Sequence, residues 1–83
     1  MYSVEFLPSA ARALAKIDRA LQRRIARRID RLAMDPRADA VKLRRSDDVW
    51  RVRVGDYLVL YAIEDERLVV LVIRVGHRRD VYR

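Results

Sequence analysis

The sequence contains no cysteine and a single histidine among its 83 residues. The absence of cysteine excludes disulfide bonds and thiolate metal sites, and it suits a protein of the reducing cytosol. One histidine is too few for a typical protein-only zinc site, so we expect neither a metal nor another cofactor. Long apolar runs are also missing: LVLYAI and LVVLVI have six residues each, against the ~20 of a membrane-spanning helix. Because residues 1–10 lack a signal-peptide pattern, we expect a cytoplasmic protein with no membrane partner.

Breaks in the chain are few. Two glycines and two prolines interrupt the sequence, which contains no repeat, low-complexity tract or linker. We therefore predict one domain spanning residues 1–83. A domain this short rarely gains more than about 3–5 kcal/mol from a single core, which favours a stabilising protein partner.

Positive charge dominates the composition. Nineteen Lys and Arg residues oppose twelve Asp and Glu residues, which gives a net charge of +7 and a pI near 10.8. Seventeen of the nineteen basic residues are arginine, whose planar guanidinium group binds phosphate and stacks on bases. This balance favours a polyanion such as nucleic acid, or an acidic protein, as the partner. A high-GC genome would also enrich arginine, so composition alone does not choose between these explanations.

The first half of the sequence predicts a pair of helices. From residue 10 to residue 34, large apolar side chains recur every three or four positions, as on one face of an amphipathic helix. The opposite face is almost all arginine. Asp18 fits the cap of a second helix, so we expect a helical hairpin that breaks just after Asp18 and ends before Pro36. One continuous helix is the alternative.

The rest of the chain predicts a sheet, because the period of the apolar residues changes to two. We predict strands at residues 2–6, 48–54, 57–63 and 67–75, the last three as an antiparallel meander. The last strand is apolar on both faces, which places it in the middle of the sheet, with the first strand beside it. The fold class is therefore α+β, a four-stranded, largely antiparallel sheet with a helical hairpin on one face, in the order βααβββ.

The segment WRVRV separates two kinds of side chain. Trp50, Val52 and Val54 share one face, which we expect to meet the helices, whereas Arg51 and Arg53 point to the other. The uncovered face of the sheet is therefore the predicted binding surface.

A second basic segment, VGHRRDVYR, ends the sequence and gathers the single histidine with one tyrosine and several arginines. An aromatic ring in such a cluster can stack on a base while guanidinium groups bind the flanking phosphates. A solvated tail anchored by the tyrosine is the alternative. We find no Ser-His-Asp spacing, Gly-rich phosphate loop or metal-carboxylate cluster. RNA cleavage needs none of these, because the 2′-hydroxyl group is itself the nucleophile.

Three segments follow the predicted helices in a fixed order: KLRR (42–45), WRVRVGDYLVLYAI (50–63) and VGHRRDVYR (75–83). In this combination, which covers essentially the whole chain, the sequence resembles the RelE/ParE toxin superfamily, specifically its RelE-like branch. The resemblance implies a toxin of a type II toxin-antitoxin pair, a metal-independent endoribonuclease that cleaves mRNA in the ribosomal A site and so inhibits translation. It also implies a hetero-oligomer with a cognate antitoxin, acidic and partly disordered.

The resemblance assigns roles to individual residues. Arg78 matches an arginine that stabilises the phosphate, and Tyr82 matches a tyrosine that orients the nucleotide or assists the 2′-hydroxyl. His77 falls where some relatives use an acid or base, and Arg53, on the basic strand, completes the implied catalytic set. The implied RNA-binding residues are Arg51, Arg53, Arg74, Arg79, Arg83 and Lys42.

Leu58 departs from the family pattern, because an arginine commonly follows GDY on the RNA-facing side. That arginine would add a phosphate contact of about 1.5–3 kcal/mol, about ten- to over a hundredfold in rate if it formed only in the transition state. Three explanations are open: a substitution introduced to permit production of a toxic protein, natural weakening or retargeting, and compensation by the other arginines. Two further functions are also open: inhibition of DNA gyrase, as in the ParE branch, and non-catalytic binding by a basic domain.

Overall fold

The computed structural model describes residues 1–43 and 48–81. Its elements are β1 (Ser3–Phe6), α1 (Pro8–Ala15), α2 (Arg19–Met34), β2 (Val41–Lys42), β3 (Val49–Val54), β4 (Tyr57–Glu64), β5 (Val69–His77) and α3 (Arg78–Val81). The strands form one sheet in the order β1-β5-β4-β3-β2, in which β1 runs parallel to β5 and the other neighbours are antiparallel. No helix among these residues is both long and apolar enough to span a membrane.

The predicted α+β class is confirmed, but the four-stranded sheet and the order βααβββ are wrong in detail. A fifth strand, β2, pairs with β3 through Val41 and Lys42, and two residues are too few to show an alternating pattern. A third helix, α3, directly follows β5. The last strand is an inner strand beside β1, as predicted, but β4 and not β5 occupies the middle of the sheet.

The helical hairpin is confirmed, and its break lies at Asp18. The Asp18 carboxylate accepts hydrogen bonds from the backbone N–H groups of Ala20 (3.1 Å) and Leu21 (3.4 Å), which satisfies two donors in the first turn of α2. The Gln22 side chain donates a 2.8 Å hydrogen bond to the Leu14 carbonyl and so ties α2 to α1. The alternative of one continuous helix is therefore wrong.

The core lies between α2 and one face of the sheet. It includes Ile25, Ile29, Leu32, Val52, Val54, Val59, Tyr61, Val70 and Val72. The helix-facing set predicted for β3 is confirmed, because Val52 and Val54 belong to this cluster and the half-buried Trp50 packs against it. The Tyr61 hydroxyl donates a 2.6 Å hydrogen bond to the buried Pro36 carbonyl. Burial raises the pKa of Tyr61 to about 12.

The strands β3 and β4 agree with the prediction to within one residue, but β5 starts and ends two residues later than predicted. Leu68 adopts a positive φ of 53° in the turn before β5, which delays the start of the strand. A register shift follows at Leu60 and Tyr61, since Leu60 pairs with Arg74 whereas Tyr61 pairs with Val72. Paired residues share a face of the sheet, so Arg74 lies with Leu60 on the uncovered face.

Candidate functional site

A basic pocket occupies one end of the uncovered face of the sheet. It is lined by Arg51 and Arg53 of β3, by Arg78 and Arg79 of α3, and by Leu58 of β4. Its volume is about 260 Å³. Three segments that are separate in the sequence thus bring four arginines and one apolar residue to the lining of the same cavity. We call this cavity the arginine pocket.

The register of the sheet explains why Leu58 lies in the arginine pocket. Leu58 pairs with Arg53 of β3 on one side and with Gly76 of β5 on the other. Because paired residues share a face, Leu58 and Arg53 point to the same side of the sheet. Leu58 is only 2% exposed although the helical hairpin lies on the opposite face. The residue that departs from the family pattern is therefore buried at the base of the pocket.

The third helix, α3, covers one side of the pocket because Gly76 leaves room for it. A Cβ atom on Gly76 would lie 3.0 Å from Cγ2 of Val81, which is tighter than ordinary contact. Val81 is buried, so its side chain anchors α3 against this glycine. The backbone N–H of Arg78 also donates a 2.8 Å hydrogen bond to the Asp56 carbonyl. These contacts fix the start of α3 beside the turn between β3 and β4.

One carboxylate links the two sides of the arginine pocket. Oδ1 of Asp56 lies 3.6 Å from Nη2 of Arg53 and 3.6 Å from Nε of Arg78. Arg53 is held further by its Nε, which donates a 2.6 Å hydrogen bond to the Gly55 carbonyl. Gly55 adopts a positive φ of 60°, which a glycine tolerates at this tight turn. Two arginines from different elements are therefore anchored at the same turn.

His77 ends β5 and does not line the arginine pocket. It pairs with Tyr57, and the two rings meet edge to face with centroids 5.5 Å apart. Its Nδ1 accepts a 3.2 Å hydrogen bond from the backbone N–H of Arg79, so the imidazole supports the first turn of α3. Nη2 of Arg74 donates a 3.2 Å hydrogen bond to the Asp80 carbonyl of the same helix. Both residues therefore contact α3, whose arginines line the pocket.

Lys42 lies apart from the arginine pocket. It pairs with Trp50, whose ring centroid lies 6.0 Å from Nζ of Lys42 and 5.7 Å from the guanidinium carbon of Arg37. Both distances suit cation-π contacts.

Tyr82 and Arg83 lie outside the described residues. Of the predicted site residues, the structure brings together Arg51, Arg53, Arg78, Arg79 and Leu58 in one pocket.

Sequence reasoning missed a second basic cavity, which lies beside α2 and which we call the α2 groove. It has a volume of about 380 Å³ and is lined by Arg24, Arg27, Arg28, Arg31, Arg53, Val54 and Gly55. The α2 arginines recur every three or four residues, so the sequence does indicate a basic helix face. It does not indicate which strand lies beside that face. Arg53 lines both cavities and connects them.

The chemistry of the arginine pocket follows from its guanidinium groups. A guanidinium group donates hydrogen bonds in a planar fork that matches two phosphate oxygens, and it stays protonated at physiological pH. The pocket is therefore suited to bind phosphate and to stabilise added negative charge, but its arginines are not proton acceptors. Among residues 1–43 and 48–81, no group of three or more His, Asp and Glu side chains is placed to hold a metal ion.

Comparisons with known proteins identify the relatives of this chain. The family model described as "ParE toxin of type II toxin-antitoxin system, parDE" matches residues 4–82. Toxin RelG of Mycobacterium tuberculosis is 36% identical over 84 residues, which cover 99% of this chain and 97% of that protein. The mRNA interferase toxin RelE of Escherichia coli K12 is 28% identical over 85 residues, which cover 98% of this chain and 90% of that protein.

A solved structure shares the fold. It is the crystal structure of the toxin-antitoxin complex RelBE2 from Mycobacterium tuberculosis, and one of its chains is similar to this one with a TM-score of 0.83. The two chains are 32% identical, and the similarity covers 93% of this chain and 98% of that one. The five-stranded sheet with its helices is therefore a fold that occurs in solved toxin-antitoxin complexes.

Proposed function

We propose that this chain, which belongs to the ParE toxin family of type II toxin-antitoxin systems and to the RelE-like branch of the RelE/ParE superfamily, is a metal-independent endoribonuclease. Its substrate is mRNA in the ribosomal A site, and cleavage inhibits translation. The observation that carries the proposal is the arginine pocket, where four arginine side chains line one cavity of about 260 Å³. The name of the Escherichia coli relative, an mRNA interferase toxin, supports RNA as the substrate.

In the proposed reaction the RNA supplies its own nucleophile. The 2′-hydroxyl gives its proton to a base as its oxygen attacks the adjacent phosphorus, the bond from phosphorus to the 5′-oxygen breaks as that oxygen takes up a proton from an acid, and a 2′,3′-cyclic phosphate and a 5′-hydroxyl group result. Negative charge builds up on the phosphorane, where guanidinium groups stabilise it. Arg53 and Arg78 meet at Asp56 from opposite sides of the pocket, so we assign them to the scissile phosphate. Arg51 and Arg79, which line the same pocket, contact the RNA around it.

Proton transfer needs groups other than these arginines. We assign assistance to the 2′-hydroxyl to Tyr82, which the family resemblance implies for that role. His77 is the second candidate, and its geometry restricts what it can do. Its Nδ1 accepts the hydrogen bond from Arg79 and its partner Tyr57 packs against the core, so His77 would act from beside α3 and not from the lining of the arginine pocket. Arg74, Arg83 and Lys42 complete the proposed RNA-binding set.

We further propose a cognate antitoxin as the protein partner. The Mycobacterium tuberculosis structure is a toxin-antitoxin complex, and a net charge of +7 on this chain complements an acidic, partly disordered segment. Such a segment would wrap the toxin in a hetero-oligomer and cover the arginine pocket. A ribosomal target and a co-produced antitoxin both place the protein in the cytoplasm.

The proposal is tested by primer extension on mRNA that is positioned on purified ribosomes with a known codon in the A site. We expect a cleavage product within that codon, and we expect the same mRNA to stay intact without ribosomes. Equal cleavage of free and ribosome-bound mRNA would contradict ribosome dependence. Failure of both this chain and its Leu58→Arg form to cleave would contradict the nuclease assignment.

One observation favours a second function, inhibition of DNA gyrase. The matched family model is that of the ParE toxins, and Leu58 occupies a position where the RelE-like pattern has arginine. A supercoiling assay with purified gyrase distinguishes the two functions. The nuclease proposal predicts no inhibition at toxin concentrations that cleave ribosome-bound mRNA, whereas inhibition without cleavage would establish the gyrase function.

A further inference from the structure

Asp56 is an acidic residue beside the arginine pocket. Its Oδ1 atom lies 3.6 Å from nitrogens of both Arg53 and Arg78, which line the arginine pocket from opposite sides. The carboxylate is 62% exposed and the two arginine side chains are about half exposed, so water and ligands reach all three groups. A carboxylate between two guanidinium groups occupies the kind of position that a phosphate group would take.

The fold does not depend on this carboxylate to hold the two arginines. Arg78 is anchored through its backbone N–H, which donates to the carbonyl, not the carboxylate, of Asp56 (2.8 Å). Arg53 is anchored through its Nε, which donates to the Gly55 carbonyl (2.6 Å). Both anchors use main-chain oxygens, and neither changes if the carboxylate loses its charge. The ion pairs are therefore additional to the contacts that position the pocket.

The ion pairs of Asp56 are also weaker than the contacts that a phosphate group would make with the same arginines. Exposed ion pairs contribute little to stability, and at 3.6 Å these two are longer than charge-assisted hydrogen bonds. A phosphodiester group presents two unbridged oxygens and matches the guanidinium fork. It cannot bind both arginines while the carboxylate stays between them, because the two anions repel each other.

We propose that Asp56 is an internal counter-anion of the arginine pocket, whose carboxylate partly neutralises the guanidinium groups of Arg53 and Arg78 until an RNA phosphate displaces it. The inference rests on the proposed function in one respect, that the incoming phosphate belongs to RNA. The Asp56 carboxylate competes with the RNA phosphate for the two arginines, and this competition lowers the affinity of the pocket for RNA. Asp56 thus sets how strongly the free toxin binds RNA outside its target.

The test is the affinity of the full chain and its Asp56→Asn form for a short single-stranded RNA, measured by fluorescence anisotropy at several salt concentrations. Asparagine keeps the shape of the side chain and tolerates the turn, and circular dichroism checks that the fold is intact. We expect Asp56→Asn to bind about three- to tenfold more tightly, since two exposed ion pairs no longer compete. We also expect a steeper loss of affinity with salt, because more of the arginine charge is free for phosphate.

Glu5→Gln is the matched control, because it removes one negative charge from an exposed ion pair, Glu5 with Arg67 at 3.3 Å, on the edge strand β1. We expect the RNA affinity of this variant to change by less than twofold. The increase in RNA affinity from Asp56→Asn must also be smaller when Arg78→Ala is already present, since the competition acts through that arginine. Equal effects of the two charge removals, weaker binding by Asp56→Asn, or no binding by either form would overturn the inference.

The result is independent of whether the chain cleaves mRNA. Tighter RNA binding by Asp56→Asn, with no ribosomal cleavage by either this chain or its Leu58→Arg form, would support the counter-anion and contradict the nuclease assignment. Cleavage without a change in affinity would leave the nuclease assignment standing and overturn the role of Asp56.

Discussion

Two aspartates at separate turns of the sheet are similarly exposed but differ in how arginines contact them. Asp65, in the turn between β4 and β5, accepts hydrogen bonds from the Tyr2 hydroxyl (2.6 Å) and from both Nη atoms of Arg37 (3.3 and 2.9 Å). Asp56, in the turn between β3 and β4, faces Arg53 and Arg78 at 3.6 Å each. Their side-chain exposures are 56% and 62%. The difference therefore lies in geometry and not in burial.

The geometry of each aspartate indicates what its turn does. The hydrogen bond from Arg37, and to a smaller extent the one from Tyr2, lowers the pKa of Asp65. The same hydrogen bonds connect the turn before β5 to the N-terminal residues and to the segment after α2. The Arg37 guanidinium group also lies over Trp50, so it contacts both an aromatic ring and the Asp65 carboxylate. At Asp56 the contacts are long and a pocket lies beside them. We conclude that the Asp65 turn stabilises the fold and that the Asp56 turn is available to a ligand.

The largest expected effect comes from displacing α3, which carries half of the arginine pocket. In Gly76→Val the new side chain would collide with Val81, since even a Cβ atom would lie 3.0 Å from Val81 Cγ2. Moving Arg78 by about an ångström should lower ribosomal mRNA cleavage by about a hundredfold, because phosphate chemistry depends on position. Primer extension measures the loss. Adding Val81→Ala to Gly76→Val should restore part of the activity, and an unchanged rate in Gly76→Val would show that α3 is not needed.

The second-largest effect is an increase in ribosomal mRNA cleavage, caused by a substitution at the base of the same pocket. Leu58→Arg adds a fifth arginine to a cavity already lined by four, and its long side chain can extend to the opening of the pocket. We expect at least a tenfold increase in ribosomal cleavage, about 1.4 kcal/mol of added transition-state stabilisation. Leu60→Arg, on the same face of β4 but outside the pocket lining, is the control and should give no such increase. Equal rates for Leu58→Arg and the parent chain would contradict this role.

A smaller effect is expected near the Asp65 turn, where Tyr61 contacts the segment after α2. Tyr61→Phe leaves the buried Pro36 carbonyl without its 2.6 Å hydrogen bond, which should lower the free energy of unfolding by about 1–2 kcal/mol. Cleavage by the folded protein should not change. Because burial raises the pKa of Tyr61 to about 12, its contribution is fully present below pH 10 and is lost as the pH rises toward 12. Urea unfolding should show this alkaline loss in the parent chain and less of it in Tyr61→Phe.

The smallest effect should come from Asp65 itself. The hydrogen bonds from Arg37 and Tyr2 lower the folded pKa of Asp65 below its ordinary value of 3.8, so its contribution to stability is present above pH 3.8 and is lost as the pH falls through the folded pKa. The difference in unfolding free energy between the parent chain and Asp65→Asn should therefore be largest near neutral pH and vanish in acid. A difference that grew in acid would contradict this assignment of the Asp65 turn.

The fold was predictable where a pattern depends on neighbouring residues. The spacing of apolar residues indicated α1, α2 and four of the five strands, and the cap at Asp18 placed the break between the helices. The alternation along β3 separated Val52 and Val54 from Arg53. By contrast, β2 and α3 have two and four residues, too few to establish a period.

The candidate site was predictable in part for the same reason. Alternation places Arg51 and Arg53 on the uncovered face, but Arg78 and Arg79 reach the pocket only because Val81 packs on Gly76, a contact made by tertiary structure. The α2 groove depends on how α2 lies beside the turn at Gly55, which no local pattern specifies. The pairing of His77 with Tyr57 likewise follows from the length and register of β5.

In the proposed function the Asp56 turn binds RNA for cleavage, whereas the Asp65 turn only stabilises the fold. These two roles are separated by measuring ribosomal mRNA cleavage for Arg78→Ala and Arg37→Ala, each made in the Leu58→Arg form and assayed below its unfolding temperature. We predict that Arg78→Ala lowers the rate by about a hundredfold or more with the melting temperature nearly unchanged, since one charged contact to the transition state is lost. Arg37→Ala should lower the melting temperature and leave the rate of the folded protein intact. A comparable loss of rate in both variants, or the reverse assignment of rate and stability, would contradict the account.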